Sequence, residues 1–232
     1  MNKNVILFDL DGTLTDPGLG ITNSVIHALA RMGMEAPPRE ELYSFIGPPL
    51  IDSFRDRFSL TQEEAVRAMH LYREYFAETG IFENEVYDGI PALLEHLQKA
   101  GKRLILATSK PEPFARRIME HFSLSPYFDF IGGSDMEQVR GTKAAVIEYV
   151  LQETGCHPAH CIMIGDRHHD VAGAKTHNIG TIGVLWGYGS EKELTQAGAI
   201  ALAATPQHLE EILLYGKNGI GRSPEYGLWH QN

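Results

Sequence analysis

The sequence predicts an α/β protein in which a parallel sheet is interrupted, soon after its first strand, by a helical insertion. Three observations predict this class. A short apolar run at residues 5–8 stops at Asp9 and is typical of a strand buried on both faces. Apolar residues then recur at helical spacing from about residue 18 to residue 78. From about Asp88 onward, strand-like and helix-like segments alternate, which indicates right-handed crossovers between parallel strands.

Turn residues divide the insertion into four predicted helices, with no strand among them. Thr61 followed by Glu64 has the form of a capping box and predicts a helix start. The breaks between helices are the turns Pro37-Pro38, Gly47-Pro48-Pro49 and Ser59-Leu60-Thr61.

The insertion implies two domains. We predict an α/β core of residues 1–15 and 86–232 and a helical cap of residues 16–85. The chain would leave the core at Thr15-Asp16-Pro17 and return to it at 85–88. A lid of this kind can exclude water from a reaction and then open to release product.

The core alternation continues to residue 215, beyond which a Gly-rich, aperiodic tail predicts a loose or docked extension. The predicted strands are 103–107, 128–131, 161–164 and 181–185, and the predicted helices are 90–99, 113–121, 142–153, 171–176 and 206–215.

Composition excludes several classes of function. Of the 232 residues, 43% are hydrophobic and 22% charged, as in an ordinary soluble domain. The formal net charge of −10 disfavours nucleic acid as a partner, because two polyanions repel. The sequence has no run near the about 18 apolar residues that span a membrane, and the first apolar run is too short for a signal peptide. We therefore expect a cytoplasmic protein, either a monomer or a homodimer.

Polar side chains follow several predicted strands, at the carboxyl ends where open parallel sheets bind ligands. Asp9, Asp11, Gly12 and Thr13 follow the first strand, Thr108, Ser109 and Lys110 the second, and Asp166 and Asp170 the fourth, while Lys143 opens the helix between the third and fourth.

These residue types suit one chemistry. Carboxylate oxygens are the ligands that Mg²⁺ prefers, and the cation would let a phosphate dianion approach a cluster of acids. One carboxylate could then attack phosphorus. Thr108, Ser109 and Lys143 could hold the phosphoryl oxygens, where charge must be stabilised.

Each motif also has a structural explanation when it is taken alone. Asp11-Gly12 is a common hairpin turn signal. Thr108-Ser109 could cap the helix after Pro111. Lys143 could be a solvated lysine in the first turn of its helix, although a cation there opposes the helix dipole. The combination of all the motifs in one chain favours the catalytic interpretation.

The combination resembles the haloacid dehalogenase (HAD) superfamily. The segment 8–14 resembles the first motif of that family, Thr108-Ser109 the second, Lys143 the third, and Gly165-Asp166-Arg167 with Asp170 the fourth. The match follows the family's order over nearly the whole chain. The helical insertion resembles the cap of the phosphoglycolate-phosphatase-like branch of the family.

The resemblance implies a Rossmann-like core and a magnesium-dependent phosphatase that works through an aspartyl phosphate. Asp9 would be the nucleophile and a metal ligand. Asp11 would protonate the leaving oxygen, later deprotonate water, and offer its backbone carbonyl to the metal. Asp166 would be the third ligand. Asp170 would orient Lys143 or reach the metal through water.

Within the family, Asp11 favours phosphoryl transfer over dehalogenation, because halide leaves without protonation. The cap has no lysine for the Schiff base of a phosphonate-cleaving relative. Two alternatives to a phosphatase remain: a phosphomutase on the same scaffold, and a catalytically silent binding module.

The substrate would be a small phosphorylated metabolite, bound through Gly12, Thr13, Thr108 and Ser109 and selected by the cap turn at Gly47. That turn and the segment 184–189 resemble a 5′-nucleotidase-like subgroup, so we prefer a 5′-nucleotide over phosphoglycolate. Trp186 or Tyr188 could stack a base, with packing after the last main strand as the alternative. Asn23 and Arg55 are further cap candidates.

Five histidines lie close together in the sequence and raise the alternative of a transition-metal site. Their spacing fits no compact ligand set, so we expect surface histidines, and we expect the adjacent His168 and His169 to point apart. The five are His157, His160, His168, His169 and His177.

Overall fold

The computed structural model describes residues 3–137 and 139–216. The described strands are β1 (Val5–Phe8), β2 (Thr15–Asp16), β3 (Glu85–Val86), β4 (Arg103–Pro111), β5 (Phe130–Ser134), β6 (Cys161–Gly165), β7 (Gly180–Val184) and β8 (Ala201–Ala203). The described helices are α1 (Gly18–Arg31), α2 (Arg39–Leu42), α3 (Leu50–Phe58), α4 (Gln62–Tyr75), α5 (Ile90–Lys99), α6 (Glu112–His121), α7 (Lys143–Thr154), α8 (His168–Thr176), α9 (Glu191–Ala197) and α10 (Pro206–Tyr215).

The core is a parallel sheet with the strand order β5-β4-β1-β6-β7-β8. Side chains of β1 alternate between two apolar layers, because successive residues of a strand point to opposite faces. Ile6 and Phe8 join the layer that contains α5, α6 and α10, whereas Val5 and Leu7 join the layer that contains α7. Burial on both faces explains why β1 is a continuous apolar run. The predicted α/β class with a parallel sheet and a helical insertion is confirmed.

The register of the central strands brings the predicted motifs to one edge. Phe8 pairs with Leu106 of β4 and with Ile164 of β6, all in parallel. The residues that follow these three strands therefore start from the same level. The Asp9 backbone N–H donates to the Ile164 carbonyl at 2.9 Å and fixes the turn after β1.

The insertion consists of α1 to α4 packed around their own apolar centre, which joins the core on one side. The predicted capping box is confirmed at the start of α4, where Thr61 accepts from the Glu64 N–H and the Glu64 carboxylate accepts from the Thr61 N–H. After α4 the chain makes a single π-helical turn, Phe76–Gly80. The antiparallel pair of β2 and β3 lies where the hinges are predicted.

Several element bounds differ from the prediction. The sequence analysis missed α9, which is seven residues long and buries a single apolar side chain, that of Leu194. It also missed β8, because residues 197–204 are mostly alanine and glycine and carry little contrast between apolar and polar positions. Helix α8 begins at His168 rather than at Val171, since its polar first turn faces the site. Strand β4 continues to Pro111 through an irregularity after Ala107. The predicted tail beyond Gly216 lies outside the described residues. Among residues 3–137 and 139–216, no helix is both long and apolar enough to cross a bilayer.

Candidate active site

Asp9 is the first residue after β1, and it is almost fully buried against Lys143. The Lys143 ammonium donates to Asp9 Oδ1 at 2.6 Å and to the Ala107 carbonyl at 2.9 Å. It also lies 2.9 Å from Asp170 Oδ1. Helix α7 places this lysine in its first turn, after the cap residue Thr142. Lys143 is therefore a buried partner of two carboxylates, and the alternative of a solvated lysine is wrong.

Three buried carboxyl groups, those of Asp9, Asp166 and Asp170, form what we call the carboxylate cluster. One oxygen of each lies within 4.8 Å of the others. Burial and the nearby Asp170 and Asp9 raise the pKa of Asp166 well above its ordinary value. Burial raises the pKa of Asp170 to about 6, although Lys143 opposes the shift. A bound cation would stabilise the ionised forms of these groups.

Asp166 has an oxygen that is suited to a metal. Its Oδ2 accepts from the Tyr188 N–H at 2.7 Å. Its Oδ1 is buried and has no hydrogen-bond partner among the described residues. A buried orphaned carboxylate oxygen is costly unless a cation or water satisfies it. The donor set consists of hard oxygens, which fits Mg²⁺. The structure brings the predicted ligands Asp9 and Asp166 together, and Asp170 lies with them.

Gly12 allows the first loop to approach Asp166 closely. Its φ of +80° is in the left-handed region, and a Cβ at this position would lie 2.3 Å from Asp166 Oδ2. Thr13 is buried, and its carbonyl accepts from Trp186 Nε1 at 3.0 Å. Gly12 and Thr13, predicted to bind phosphate, support the site from behind and do not line its pocket.

The side chain of Asp11 lies apart from the carboxylate cluster and pairs with Lys110. Lys110 Nζ is 2.7 Å from Asp11 Oδ2, and both side chains are buried. We call Asp11 and Lys110 the interface pair, because the Lys110 ammonium also lies 4.7 Å from the centre of the Phe76 ring, which belongs to the cap. Burial raises the pKa of the Asp11 carboxyl, while the attraction of Lys110 lowers it, and burial prevails.

A pocket of about 730 Å³, its mouth included, lies between the sheet edge and the cap. The polar wall comes from the core and the apolar wall mainly from the cap. The polar wall contains Asp9, Asp11, Thr108, Ser109, Lys110, Lys143 and Asp170, and the apolar wall contains Ile21, Phe45, Pro48, Pro49, Leu50, Phe76 and Phe114.

Two arginines tie the cap to the core across this pocket. Arg73 of the cap donates to the Met136 carbonyl at 2.8 Å. In the opposite direction, Arg167 of the core donates to the Ile46 carbonyl at 2.9 Å and also bonds Glu193 at 2.9 Å. The structure is therefore a closed arrangement of cap and core.

The second motif and the cap turn both reach the pocket. Thr108 and Ser109 line it, and Thr108 Oγ1 accepts from the Lys110 N–H at 3.2 Å. The capping alternative is wrong, since α6 begins after Pro111 without a side-chain cap. Gly47 also lines the pocket, with φ +104°.

The structure corrects the expectation for the adjacent histidines. The His168 and His169 rings do not point apart, because their centroids are 3.8 Å apart. Glu193 accounts for this by holding His168 Nδ1 at 2.7 Å. His169 lines the pocket, and burial together with the charges of His168 and Arg167 lowers its pKa to about 4. Among the described residues, the cluster of potential metal ligands contains no histidine.

Other candidates lie away from the pocket. Trp186 and Tyr188 bond the loops behind it, so their rings do not form its walls. Asn23 pairs with Glu83, and Arg55 pairs with Asp52 and Asp56 on the surface.

Sequence reasoning missed the roles of Lys110, Arg73 and Arg167, whereas the position of His169 between Asp166 and Asp170 already indicated contact with the site. The position of Lys110 directly after Thr108-Ser109, at a strand end, was the signal for the first. The cap contacts of the two arginines have no signal in the sequence, because they bond backbone carbonyls far along the chain.

Comparison with known proteins decides the family. The family model described as haloacid dehalogenase-like hydrolase matches residues 6–184. The chain belongs to this family. A 5′-nucleotidase from Pseudomonas aeruginosa is 49% identical over 189 residues, which cover 82% of this chain and 86% of that protein. A protein of Mycobacterium tuberculosis named tyrosine-protein kinase PtkA is 40% identical over 215 residues, covering 91% of this chain and 73% of that one.

The solved structures agree with this assignment. A crystal structure from Clostridium acetobutylicum, described as a predicted phosphatase, has a TM-score of 0.89 and 44% identity, and covers 91% of this chain and 98% of its own. The predicted family and the predicted class of enzyme, a phosphoric monoester hydrolase of the HAD type, are confirmed.

Proposed function

We propose that this HAD hydrolase cleaves a small-molecule phosphate monoester through an aspartyl phosphate on Asp9, with Mg²⁺ held by the carboxylate cluster. One observation carries the proposal: the buried oxygens of Asp9, Asp166 and Asp170 lie within 4.8 Å of one another, and Lys143 bonds Asp9 directly. Asp9 and Asp166 would hold the metal with the backbone carbonyl of Asp11. Bound Mg²⁺ would neutralise the cluster and withdraw charge from the phosphoryl oxygens.

The proposed reaction uses the protein's own groups in two steps. A carboxylate oxygen of Asp9 attacks phosphorus as the bond to the leaving oxygen breaks, and Asp11 gives that oxygen a proton. In the second step, water loses a proton to Asp11 and attacks phosphorus, and the bond between phosphorus and Asp9 breaks. The products are an alcohol, inorganic phosphate and the original enzyme.

Lys143, Thr108 and Ser109 would support both steps. Lys143 keeps the nucleophile in place through its 2.6 Å bond to Asp9 Oδ1. The ammonium stays charged at neutral pH: burial alone would lower the Lys143 pKa, but Asp170 and Asp9 raise it above its ordinary value. The hydroxyl groups of Thr108 and Ser109 line the pocket beside Asp9 and would donate to the phosphoryl oxygens.

The helical cap would act as the lid of the site. We place its bounds at residues 16 and 85, with the core formed by 1–15 and 86–232, because the β2–β3 pair crosses from one unit to the other at these points. Closure keeps water other than the attacking molecule away from the aspartyl phosphate.

For the leaving group we propose a 5′-nucleoside, with phosphoglycolate as the second candidate. The name of the Pseudomonas aeruginosa relative supports the nucleotide. The apolar character of the cap wall at Phe45, Leu50 and Phe76 also favours a nucleoside over phosphoglycolate, because a sugar and base bring apolar surface that a two-carbon acid lacks. The turn at Gly47 would contact this part of the substrate.

Two other fates of the phosphoryl group deserve a direct assay. A mutase would return it to a bound sugar, so its turnover would depend on a bisphosphate activator. The relative named as a kinase raises transfer to a protein hydroxyl group. Transfer to protein would appear as labelled polypeptide, rather than free phosphate, from a γ-labelled nucleoside triphosphate.

The proposal is tested by phosphate release from p-nitrophenyl phosphate, 5′-nucleotides, sugar phosphates and phosphoglycolate, with Mg²⁺ or with EDTA. We expect release with Mg²⁺, none with EDTA, and the highest kcat/KM on a 5′-nucleotide. Release in EDTA would remove the metal from the mechanism. Release that requires a bisphosphate would favour the mutase.

A further inference from the structure

Lys110 takes no part in the steps above, although it is one of the most buried charged residues of the described chain. It is 8% exposed and lies at the pocket wall. A buried ammonium group is strongly unfavourable unless it is paired, so Lys110 needs a partner that stabilises its charge. That partner is Asp11, at 2.7 Å.

The two oxygens of the Asp11 carboxyl group have different surroundings. Oδ2 accepts the Lys110 ammonium. Oδ1 is buried and has no hydrogen-bond partner among residues 3–137 and 139–216. Asp11 lines the pocket, and Oδ1 is its oxygen without a partner in the described chain, which leaves Oδ1 available for a proton.

The backbone gives Lys110 a defined position. Strand β4 loses its regular register between Ala107 and Pro111, and the Lys110 N–H donates to Thr108 Oγ1 within this stretch. The same turn therefore presents Thr108 and Ser109 to the phosphoryl group and Lys110 to Asp11. The ring of Phe76 covers the ammonium from the cap side at 4.7 Å. Such a contact stabilises a buried cation, because the face of the ring carries partial negative charge.

We propose that Lys110 is a positioning residue for proton transfer: it holds Asp11 Oδ2 so that Oδ1 faces the leaving oxygen, and Phe76 completes the arrangement when the cap closes. This inference rests on the proposed function, in which Asp11 gives a proton to the leaving group. It has a specific consequence. The loss of rate on removing Lys110 should be larger for a leaving group that needs the proton more.

The test compares two esters that differ in this need. The p-nitrophenolate ion leaves readily without a proton, whereas the alkoxide of a 5′-nucleotide or of glycerol 2-phosphate does not. In Lys110→Gln we expect kcat on the alkyl ester to fall on the order of 100-fold, the usual effect of a misplaced catalytic group. The loss should be at least about tenfold larger than on p-nitrophenyl phosphate, with little change in either KM.

Matched variants separate positioning from folding. Lys102→Gln is the control. It removes a lysine whose ammonium donates to the Lys3 carbonyl, far from the pocket, and it should leave the rates on both esters unchanged. Lys110→Arg retains the cation and should recover part of the loss on the alkyl ester. Phe76→Leu retains apolar volume but removes the ring, and should reproduce the ester-selective loss to a smaller extent. These two variants carry the test if Lys110→Gln does not fold.

A double variant tests whether Lys110 acts through Asp11. Asp11→Asn with Lys110→Gln should lose no more activity on the alkyl ester than Asp11→Asn alone. A further multiplicative loss would overturn the proposal, as would an equal loss on both esters, a rise in both KM values or no loss at all in Lys110→Gln. Failure of the wild-type enzyme on both esters would instead contradict the proposed function.

Discussion

The active site contains two buried lysine–carboxylate arrangements that differ in where their parts come from. Lys143 joins Asp9 and Asp170, and all three residues belong to the core. The interface pair of Asp11 and Lys110 also belongs to the core, but its cation lies against Phe76 of the cap. The first arrangement is therefore complete whether the cap is open or closed, whereas the second is complete only after closure.

The two arrangements therefore serve different parts of the reaction. Groups that act on phosphorus are fixed within one rigid unit, which serves every phosphate ester in the same way. Groups that act on the leaving oxygen depend on the unit that also contacts the leaving group. The two halves of the reaction should therefore respond differently to substitution.

The largest expected effect is that of Lys143→Met. We expect kcat to fall by about 100-fold to 1000-fold on alkyl and p-nitrophenyl esters alike, because the variant loses the cation beside the nucleophile. Without metal, the free energy of unfolding should also fall by about 3–5 kcal/mol, since buried carboxylates lose their partner. Steady-state rates on the two esters and urea unfolding measure these effects. Lys175→Met, an exposed lysine of α8, is the control, and an ester-selective loss would contradict the comparison.

A smaller effect is expected for Gly12→Ala. The added Cβ would meet Asp166 Oδ2 at 2.3 Å, so the carboxylate must move and Mg²⁺ affinity should fall about 10–100-fold. Gly33→Ala is a matched control, because Gly33 has a similar φ of +74° but open space around a Cβ. Both variants place an alanine at a positive φ, but only Gly12→Ala brings a Cβ into collision with Asp166. Titration of activity with Mg²⁺ measures the difference, and equal affinities would contradict it.

The free energy of unfolding should depend on pH because of the carboxylate cluster. Folding raises the pKa of Asp170 from 3.8 to about 6, so the native state binds more protons and the free energy of unfolding falls as pH rises through this window. Mg²⁺ favours the ionised form. At about 100 times its dissociation constant we expect the cation to raise the melting temperature by roughly 5–10 °C at pH 7.5. The rise should be smaller at pH 5, and calorimetry that finds equal rises at the two pH values would contradict this assignment.

The smallest expected effect concerns the cap turn. Replacing Pro48 and Pro49 by alanine gives the backbone of the turn more conformations. Ordering the turn against the substrate then costs about 0.4–1 kcal/mol more for each proline removed. KM for the best substrate should rise about 4- to 30-fold in total, and the ranking of substrates should change more than the rate on p-nitrophenyl phosphate. Replacing Pro37 and Pro38, an earlier turn of the cap, is the control. An unchanged ranking would exclude the turn from substrate selection.

The sequence predicted best what depends on local pattern. Strand β1 was recognisable as a continuous apolar run, and helices α5 and α10 because their apolar residues recur at helical spacing. The positions of Asp9 and Asp166 followed from strand ends in a parallel sheet, and that of Lys143 from the start of a crossover helix. The start of α8 and the course of β4 were less predictable, because the residues there are polar and contact the site, so they do not follow the apolar periodicity of the core.

The interface pair could not be predicted in the same way. A lysine after Thr108-Ser109 gives no indication of whether it points to solvent, to phosphate or to Asp11. Its direction depends on the irregular turn at the end of β4 and on a cap ring 34 positions earlier in the chain. Contacts of this kind depend on how the cap packs against the core, and a local sequence pattern does not predict that packing.

The most direct test of the account is to locate the phosphoryl group during turnover. Enzyme mixed with excess substrate and Mg²⁺, quenched in acid and analysed by peptide mass spectrometry, should carry one phosphoryl group on the peptide that contains Asp9. Asp9→Asn should carry none and release no phosphate. An unmodified wild-type peptide under steady turnover, or a phosphoryl group on another residue, would contradict Asp9 as the nucleophile.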